Sequence, residues 1–357
     1  MSTTFHPLRV VALAQETADA VTVTLEPEPA DRAAFAFAAG QHLTLRALID
    51  GEDVRRNYSL CVPPGSGQLR VAIKGVAGGV FSSWARAALK PGAVIESMTP
   101  RGHFTWNFTP GAAHTYLAFA GGSGITPILS LIATGLETEP GSRFTLLYGN
   151  RASNSIMFLD ELADLKDRYM GRLQVYHFLT AEADDVELFN GRLDAPRIAE
   201  VLASLVDPKA VDVAFICGPQ GMMDAAERAM LEAGVHPERV LVERFGVGPV
   251  VAESEQHRAA AAQAEGLSVQ VTLEGRRRRI AFHAENGNIL DSARAAGLPA
   301  PYACKAGVCA TCRARLLSGR VQMAANYGLS AEEVAAGYIL TCQSVPLTGD
   351  VVVDYDG

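Results

Sequence analysis

Four cysteines in the C-terminal quarter of the chain have the spacing of a metal-cluster ligand set. Cys304, Cys309 and Cys312 form the pattern C-x4-C-x2-C, and Cys342 follows after a gap of 29 residues. Thiolates are soft ligands that suit zinc or an iron–sulfur cluster. Zinc ribbons usually present two close cysteine pairs, whereas one close trio with a distant fourth cysteine is the spacing of a [2Fe–2S] centre. The sequence therefore predicts a [2Fe–2S] site, with zinc, and buried free or disulfide-bonded thiols, as the alternatives.

The residues between these cysteines are suited to wrapping around a cluster. Lys305–Val308 and Ala310–Thr311 are mostly small or flexible, so we expect a loop that points backbone N–H groups at the sulfurs. Six cysteines in 357 residues are too few for a disulfide scaffold. Only Cys61 and Cys217 lie outside the cluster motif.

Two runs in the first third of the chain have side chains suited to a flavin nucleotide. In Arg56-Asn57-Tyr58-Ser59 the arginine supplies a permanent charge for a pyrophosphate, the tyrosine a flat face and the serine a hydroxyl for the ring system. The second run is Gly78-Gly79-Val80-Phe81-Ser82. Its glycines allow the backbone close to a phosphate, and the helix start that follows offers free N–H groups. Taken singly, each run is equally compatible with an ordinary turn.

A third run is suited to a dinucleotide. Gly121-Gly122-Ser123-Gly124-Ile125-Thr126-Pro127 follows the apolar strand 116–120 and opens a helix. It differs from the G-x-G-x-x-G fingerprint, yet it still delivers a helix N-terminus to a diphosphate. Residues 102–136 carry no Asp, Glu, Lys or Arg, but prolines and glycines interrupt them, so we expect no membrane span.

Three regions of different pattern position these motifs. Residues 1–110 contain short strand-like runs separated by Gly and Pro, which predicts an antiparallel β-barrel, or a sandwich, carrying the flavin motif. Residues 111–250 alternate strands with helices, which predicts an α/β domain with a parallel sheet that carries the dinucleotide motif. Residues 251–266 read as a linker that is partly helical, and residues 267–357 resume a strand pattern around the cysteines.

The strands predicted for the first region are 10–13, 21–25, 41–48, 57–62 and 68–74. In the second region the predicted strands are 116–120, 143–148, 173–179, 211–216 and 239–242, and the predicted helices are 127–136, 155–169, 195–206 and 220–234.

Composition and charge exclude several classes of function. With 48% hydrophobic and 20% charged residues, the chain has the composition of a folded protein with two or three domains. A net charge of −8 argues against a dedicated nucleic-acid binder. The polar N-terminal segment lacks the apolar core of a secretory signal, so we expect a cytoplasmic location.

The charge is distributed unevenly along the chain. Residues 267–357 contain nine basic and eight acidic residues, a net charge of +1, which leaves −9 for the remainder. The most basic run is Arg276–Arg279. It is either the solvated face of a hairpin or a docking patch for an acidic partner.

In this order, the motifs of residues 5–248 resemble the ferredoxin–NADP reductase superfamily. The run Cys217-Gly218-Pro219-Gln220-Gly221-Met222 is part of that resemblance. Residues 267–357 resemble a plant-type [2Fe–2S] ferredoxin, which implies a β-grasp fold, and Asn288–Ala293 is similar to the helix that precedes the cluster loop in that family.

The resemblance implies FAD, NADPH with NADH as the alternative, and a [2Fe–2S] cluster. The implied FAD contacts are Arg56, Asn57, Tyr58, Ser59, Gly79, Val80, Phe81 and Ser82. The implied nicotinamide contacts are Gly121, Gly122, Gly124, Thr126, Arg151, Cys217, Gly218, Pro219 and Phe245. Ser59 and Cys217 are the implied catalytic contacts, to the flavin and to the nicotinamide ring, and Arg151 is placed to hold a 2′-phosphate. The cluster ligands are Cys304, Cys309, Cys312 and Cys342.

The three predicted carriers set an order of electron flow. A nicotinamide delivers two electrons as a hydride, a [2Fe–2S] cluster takes one at a time, and a flavin handles both, so the flavin lies between them. The eight histidines are scattered and none lies in an E-x-x-H pattern, the spacing of di-iron carboxylate sites. We therefore expect the electrons to leave for a separate protein.

Further runs narrow the resemblance to reductase components of bacterial oxygenases. They are Phe5–Leu8, Tyr148–Arg151, Ser155–Phe158, Asn190–Asp194, Asn326–Leu329 and Val351–Asp356. The implied partner is a di-iron oxygenase that epoxidises the ring of an aromatic coenzyme A thioester. The reductase component of a Rieske-type or steroid hydroxylase is one alternative, and a redox sensor that keeps its cofactors without turnover is another.

Overall fold

The computed structural model describes residues 4–245 and 255–357. Within these residues the chain builds three large sheets packed on hydrophobic cores, in the order antiparallel, parallel and mixed, together with a small two-stranded sheet. The multidomain architecture expected from the sequence is confirmed. No helix in the described ranges is long and apolar enough to cross a membrane.

The first sheet has six antiparallel strands in the order β4-β3-β6-β1-β2-β5. The strands are β1 (His6–Thr17), β2 (Ala20–Pro27), β3 (His42–Ile49), β4 (Glu52–Ser59), β5 (Leu69–Lys74) and β6 (Val94–Ser97). A bridge between Leu60 and Val71 joins the two edges, so the sheet closes into a barrel. Helix α1 (Val80–Ala88) places Phe81 and Ala85 in the barrel core.

The second sheet has five parallel strands in the order β11-β10-β7-β8-β9. They are β7 (Thr115–Gly121), β8 (Arg143–Asn150), β9 (Leu173–Leu179), β10 (Val213–Cys217) and β11 (Val240–Glu243), and helices α2 (Ile125–Thr138), α3 (Leu159–Arg168), α4 (Ala195–Ser204) and α5 (Gln220–Glu232) alternate with them. The strand order reverses between β7 and β10. In open α/β sheets ligands bind outside the carboxyl ends of the strands at such a switch point.

The third sheet is built around one parallel pair, β12 with β18, and has the order β13-β12-β18-β14-β16. The elements are α6 (Glu255–Gln263), β12 (Ser268–Leu273), β13 (Arg276–Ala281), α7 (Ile289–Ala295), β14 (Arg313–Ser318), β15 (Val321–Met323), α8 (Ala331–Ala335), β16 (Tyr338–Leu340), β17 (Ser344–Pro346) and β18 (Val351–Asp354). Ile289, Leu290 and Ala293 of α7 are buried in the core of this domain. A mixed sheet grasping one helix is the ferredoxin architecture predicted from the cysteines.

The elements expected from the sequence match the structure closely in type, and the differences have local causes. The short strand β6 escaped prediction because four residues carry too little alternation to be recognised. The helix expected from 155 begins at Leu159, because Phe158 adopts a left-handed conformation (φ 59°) that interrupts it. Helix α6 lies in the expected linker 251–266, of which 251–254 are outside the described residues. Its Ala261 is buried in the core of the ferredoxin domain.

Polar contacts join the barrel to both of the other domains. The barrel contacts the α/β domain through a two-pronged ion pair between Arg70 and Glu161 (2.6 and 2.7 Å). The Ser130 hydroxyl strengthens this contact by donating to the Val62 carbonyl (2.6 Å). The ferredoxin domain contacts the barrel through Glu333, which pairs with His103 at 3.0 Å. These contacts hold the end of β4, the switch point and the cysteine loop in fixed positions relative to one another.

Candidate functional site

The predicted flavin residues lie at the end of β4, where the strand pairs with β3. Ser59 is opposite His42, and its hydroxyl is buried with no hydrogen-bond partner in the described part of the chain. An orphaned buried hydroxyl costs stability unless a ligand completes it. Burial lowers the pKa of His42 to about 4, so the side chain beneath this serine is a neutral imidazole. The arrangement suits an acceptor atom of a bound ring facing Ser59.

The other residues of this motif divide between ligand-facing and structural positions. Arg56 is exposed, and its guanidinium donates to the Arg55 carbonyl (2.7 Å). Tyr58 stands over Phe81 with 5.7 Å between ring centroids, and burial raises the pKa of its phenol. Asn57 lies on the face of the sheet opposite the barrel core, where its amide bonds His42 (3.2 Å) and accepts from a threonine hydroxyl of β3. Asn57 therefore supports the barrel wall, whereas Arg56 and Tyr58 remain available to a ligand.

The second flavin motif forms the N-terminus of α1. Gly79 is the N-cap residue and supplies no side-chain hydrogen bond, so the first N–H groups of the helix, from Val80 to Ser82, have no cap. A Cβ on Gly79 would lie 2.6 Å from the Ser82 hydroxyl and 3.0 Å from the Val76 carbonyl. The glycine is therefore needed for the tight turn, and the turn presents free amides and the positive end of the helix dipole to a phosphate.

The switch point of the parallel sheet contains a cavity of about 770 Å³. It is lined by Lys74, Gly121, Gly122, Ser123, Gly124, Gly149, Asn150, Arg151, Ser155, Thr180, Gly191, Arg192, Leu193, Asp194, Gly218, Pro219, Gly221, Met222 and Phe245. A cavity of this size accommodates a nucleotide cofactor. Thr126 is buried outside the lining and shapes the turn by donating to the Ser123 carbonyl (3.0 Å).

Glycines permit the two loops of this cavity to touch. A Cβ on Gly121 would lie 2.3 Å from Cδ of Pro219, and a Cβ on Gly124 would lie 2.1 Å from the Cys217 carbonyl oxygen. A Cβ on Gly218 would lie 2.9 Å from the Gly121 amide nitrogen. Any larger residue would force apart the turns that follow β7 and β10, so the cavity floor depends on glycine at these positions.

Cys217 lies beneath the cavity and not in its lining. It is the last residue of β10, fully buried in the hydrophobic core, and its neighbours in the sheet are Ala120 and Glu243. Burial raises the pKa of its thiol far above the usual range. Cys217 is therefore a neutral packing group beneath the cavity and carries no thiolate charge.

The far end of the cavity carries two arginines. The sequence singled out Arg151, which follows β8; the structure adds Arg192, which follows Gly191 (φ +94°) beside the end of β9. In the sequence, Arg192 lies within the run Asn190–Asp194. That run supported the family resemblance but did not indicate that Arg192 lines a nucleotide cavity. Two guanidinium groups at one end of a nucleotide cavity suit a second phosphate.

Glu243 and Phe245 mark the opposite end of the cavity, toward the ferredoxin domain. Phe245 lines the large cavity, and Glu243 lines a second cavity of about 250 Å³ together with Val308 and Tyr327. Burial raises the pKa of Glu243 to about 8. Arg244, between them in sequence, stacks over Tyr327 at 5.2 Å. The nicotinamide end of the cavity and the cysteine loop thus share one wall.

The four cysteines of the predicted cluster are free thiols arranged as two pairs. The side chains of Cys304 and Cys309 interact, as do those of Cys312 and Cys342. The interaction with Cys304 lowers the pKa of the Cys309 thiol. In the described ranges no three His, Cys, Asp or Glu side chains form a group suited to a single metal ion. Two thiol pairs instead suit a cluster of two irons, one pair to each iron.

The backbone of the loop is shaped for the same purpose. The Cys304 sulfur accepts from the amides of Ala306 (3.3 Å) and Cys309 (3.4 Å). Lys305 and Ala310 adopt left-handed conformations (φ 55° and 50°) that turn the chain around the sulfurs. Amide donors to sulfur stabilise thiolate charge and tune the potential of an iron–sulfur centre. The donor set and the loop therefore fit a [2Fe–2S] cluster.

Three family models match successive parts of the chain. They are an oxidoreductase FAD-binding domain over residues 8–106, an oxidoreductase NAD-binding domain over 119–228 and a 2Fe-2S iron-sulfur cluster binding domain over 271–347. Each model falls on one of the three sheets. The FAD, nicotinamide and cluster assignments reached from the residues are confirmed.

Comparison with whole proteins extends the match over nearly the full length. The chain is 46% identical to one of the subunits of the 1,2-phenylacetyl-CoA epoxidase of Escherichia coli (strain K12), covering 99% of this chain and 98% of that protein. It is 31% identical to the ferredoxin reductase component of 3-ketosteroid-9-alpha-monooxygenase of Rhodococcus rhodochrous, covering 98% and 96%.

Among solved structures, phthalate dioxygenase reductase has the same architecture, with a TM-score of 0.58 and 24% identity over 98% of both chains. That reductase is a modular structure for electron transfer from pyridine nucleotides to a [2Fe–2S] centre. The chain thus belongs to the family of NAD(P)H-dependent, FAD- and [2Fe–2S]-containing oxidoreductases that serve as reductase components of oxygenases.

Proposed function

We propose that this protein supplies electrons from NAD(P)H to a di-iron oxygenase that epoxidises phenylacetyl-CoA. The observation that carries the proposal is 46% identity, over almost the whole of both chains, to one component of a phenylacetyl-CoA epoxidase. The identity spans all three cofactor domains, so it covers the donor, the intermediate carrier and the exit centre together.

We propose a role in FAD binding for each of the available side chains and amides at the flavin site. Bound FAD supplies the conversion between two-electron hydride chemistry and one-electron transfer. The Ser59 hydroxyl donates to the ring, and Tyr58 covers its face. The amides of Val80–Ser82 hold the pyrophosphate, with Arg56 adding charge. The unpartnered serine hydroxyl, the uncapped helix and the exposed arginine support these roles.

The residues of the nicotinamide site account for how the cofactor is oriented and for the choice between NADPH and NADH. Gly121, Gly124 and Gly218 keep the two turns in contact at the floor of the cavity and so fix the surface on which the cofactor lies, and Phe245 bounds the ring end. We propose NADPH as the preferred donor, because Arg151 and now Arg192 line the end remote from the ring. NADH, which lacks the additional phosphate, is the alternative.

The proposal also covers the boundaries of the three domains and the location of the protein in the cell. We assign residues 1–110 to the FAD domain, 111–250 to the nicotinamide domain and 267–357 to the ferredoxin domain. A cytoplasmic location follows from the proposed chemistry, because the cluster cysteines must stay reduced until iron arrives. We propose no nucleic-acid partner.

A second candidate has its own support. The 31% identity to a ketosteroid monooxygenase reductase component makes a steroid hydroxylase the runner-up partner. The two acceptors differ in substrate, so the same reductase preparation distinguishes them.

The experiment is reconstitution with each purified oxygenase. The holoenzyme, NADPH or NADH, the purified epoxidase and phenylacetyl-CoA should give the ring epoxide in proportion to nicotinamide oxidised. The matched control is Cys309→Ser, which should still oxidise nicotinamide with a dye acceptor but form no product. Epoxide absent with an active wild-type reductase, or product only with the steroid hydroxylase, overturns the proposal.

A further inference from the structure

The four arginines of β13 form an exposed and uncompensated positive strip. Arg276–Arg279 are all solvent-exposed, and in the described ranges no carboxylate forms an ion pair with any of them. The other ion pairs show that arginines of this chain usually find a partner, as Arg313 does with Glu333. Successive side chains of a strand point to opposite faces, so Arg277 and Arg279 share the outer face and Arg276 and Arg278 share the face of the core residues Val271 and Leu273. The like charges on each face repel one another, so their clustering costs stability unless an anionic surface meets them.

The strip occupies an edge of the ferredoxin sheet. β13 pairs only with β12 in the order β13-β12-β18-β14-β16, so one side of the strand is open. Charged residues on an edge strand also prevent unwanted pairing with other sheets. That purpose is served by either sign of charge, whereas docking requires a positive charge. The difference gives a direct test.

A series of contacts connects the strip to the cysteine loop. Arg278 reaches the end of α7, where its Nη1 lies 3.8 Å from the position of a Cβ on Gly297. The chain then passes through Tyr302, whose ring is covered by Lys305 at 4.8 Å. Lys305 follows Cys304 directly, is exposed and pairs with Asp291 (2.5 Å). Contacts therefore connect Arg278 of β13 with the segment that leads into the Cys304 side of the loop.

The two sides of the cysteine loop face different surroundings. Val308, next to Cys309, lies in a cavity shared with Glu243 and Arg244 of the α/β domain. Cys304 is the least buried of the four ligand cysteines, and the other three are at most 5% exposed. Electrons entering from the reductase half reach the Cys309 side, which leaves the Cys304 side for the acceptor.

We propose that Arg276–Arg279 dock an acidic surface of the oxygenase partner and so hold that partner against the Cys304 side of the ferredoxin domain. The inference rests on the proposed function, since it requires a protein acceptor. Charge complementarity carries it: the ferredoxin region has a net charge of +1 on a chain of −8, and its excess is concentrated on one strand.

The test compares two charge-matched double variants of the holoenzyme. Arg277→Glu with Arg279→Glu reverses two charges on the strip. Arg228→Glu with Arg239→Glu makes the same change at exposed positions of the α/β domain. The probe is the purified epoxidase, and the readouts are its Kd for the reductase, its KM as acceptor, and the dependence of both on salt. Stopped-flow reduction of flavin and cluster by NADPH serves as the internal control.

Reversal on the strip should raise the Kd and the acceptor KM by roughly tenfold at low salt, with kcat unchanged, because rim charges act mainly on association. The difference should shrink at high salt, where the charges are screened. The control pair of substitutions should change neither the Kd nor the acceptor KM by more than about twofold.

Equal effects of the two pairs, or none, overturn the docking strip and leave edge protection as the role of the arginines. If the wild-type reductase neither binds nor reduces the epoxidase, the proposed function itself fails, and that outcome is visible before any variant is made.

Discussion

Gly124→Ala tests whether the glycine contacts at the switch point are essential for the nicotinamide site. Gly124 has φ −61° and is the N-cap residue of α2, so alanine meets no backbone strain there. The new Cβ, however, would lie 2.1 Å from the Cys217 carbonyl oxygen, 2.5 Å from its carbon and 3.0 Å from the Gly218 nitrogen. All three are backbone atoms that cannot rotate away. Overpacking of this kind costs roughly 1–3 kcal/mol.

Separation of the two turns should disturb the cofactor more than it disturbs the fold. We expect flavin reduction by NADPH to slow by at least about tenfold, which corresponds to about 1.4 kcal/mol, while FAD and cluster content remain those of wild type. The assay is stopped-flow bleaching of the flavin over a range of NADPH concentrations, combined with denaturant unfolding. Gly111→Ala is the matched control, because no atom lies within 4 Å of its Cβ position and its φ is not positive. Wild-type kinetics and stability for Gly124→Ala would refute the proposed contact between the loops.

Three further substitutions separate the carriers. Ser59→Ala should slow flavin reduction by roughly tenfold or more through loss of a transition-state hydrogen bond. The apoprotein should be at least as stable as wild type, because the hydroxyl is unpartnered there. A clear loss of apoprotein stability in thermal unfolding would contradict this. Cys309→Ser should remove the visible and EPR signals of the cluster but retain flavin reduction by NADPH, and loss of both would show that the domains are not separable. Arg151→Ala should raise the KM for NADPH by roughly tenfold, the effect of losing one charge-assisted phosphate contact, and leave the KM for NADH within about twofold; equal changes for both cofactors would place Arg151 away from the 2′-phosphate.

The fold was largely predictable because its signals are local. Cysteine spacing, glycine turns and alternation of strand and helix are all properties of short segments, and they led directly to three sheets. The ligand positions within those segments were less predictable. Asn57, which the sequence predicts at the flavin, bonds His42 on the face of the sheet opposite the barrel core, and this contact is set by the pairing of two strands and not by the tetrapeptide itself.

Contacts between distant segments could not be predicted. Arg192 enters the nicotinamide cavity only because its loop returns beside the end of β9. His103 and Glu333 are far apart in sequence, and neither lies in a recognisable motif. The buried position of Cys217 below the cavity likewise depends on the close contact of the two glycine turns. Such features follow from packing, which a single sequence does not reveal.

The glycine-lined floor of the nicotinamide cavity also limits how the protein can evolve. Gly121, Gly124 and Gly218 admit no side chain, so a substitution at any of them separates the two turns, whichever nicotinamide cofactor the protein uses. Arg151 and Arg192, at the other end, stand on loops with room for exchange. Selection for a different nicotinamide donor would therefore act at the ribose end, and a laboratory library intended to switch the donor should be confined to those two loops.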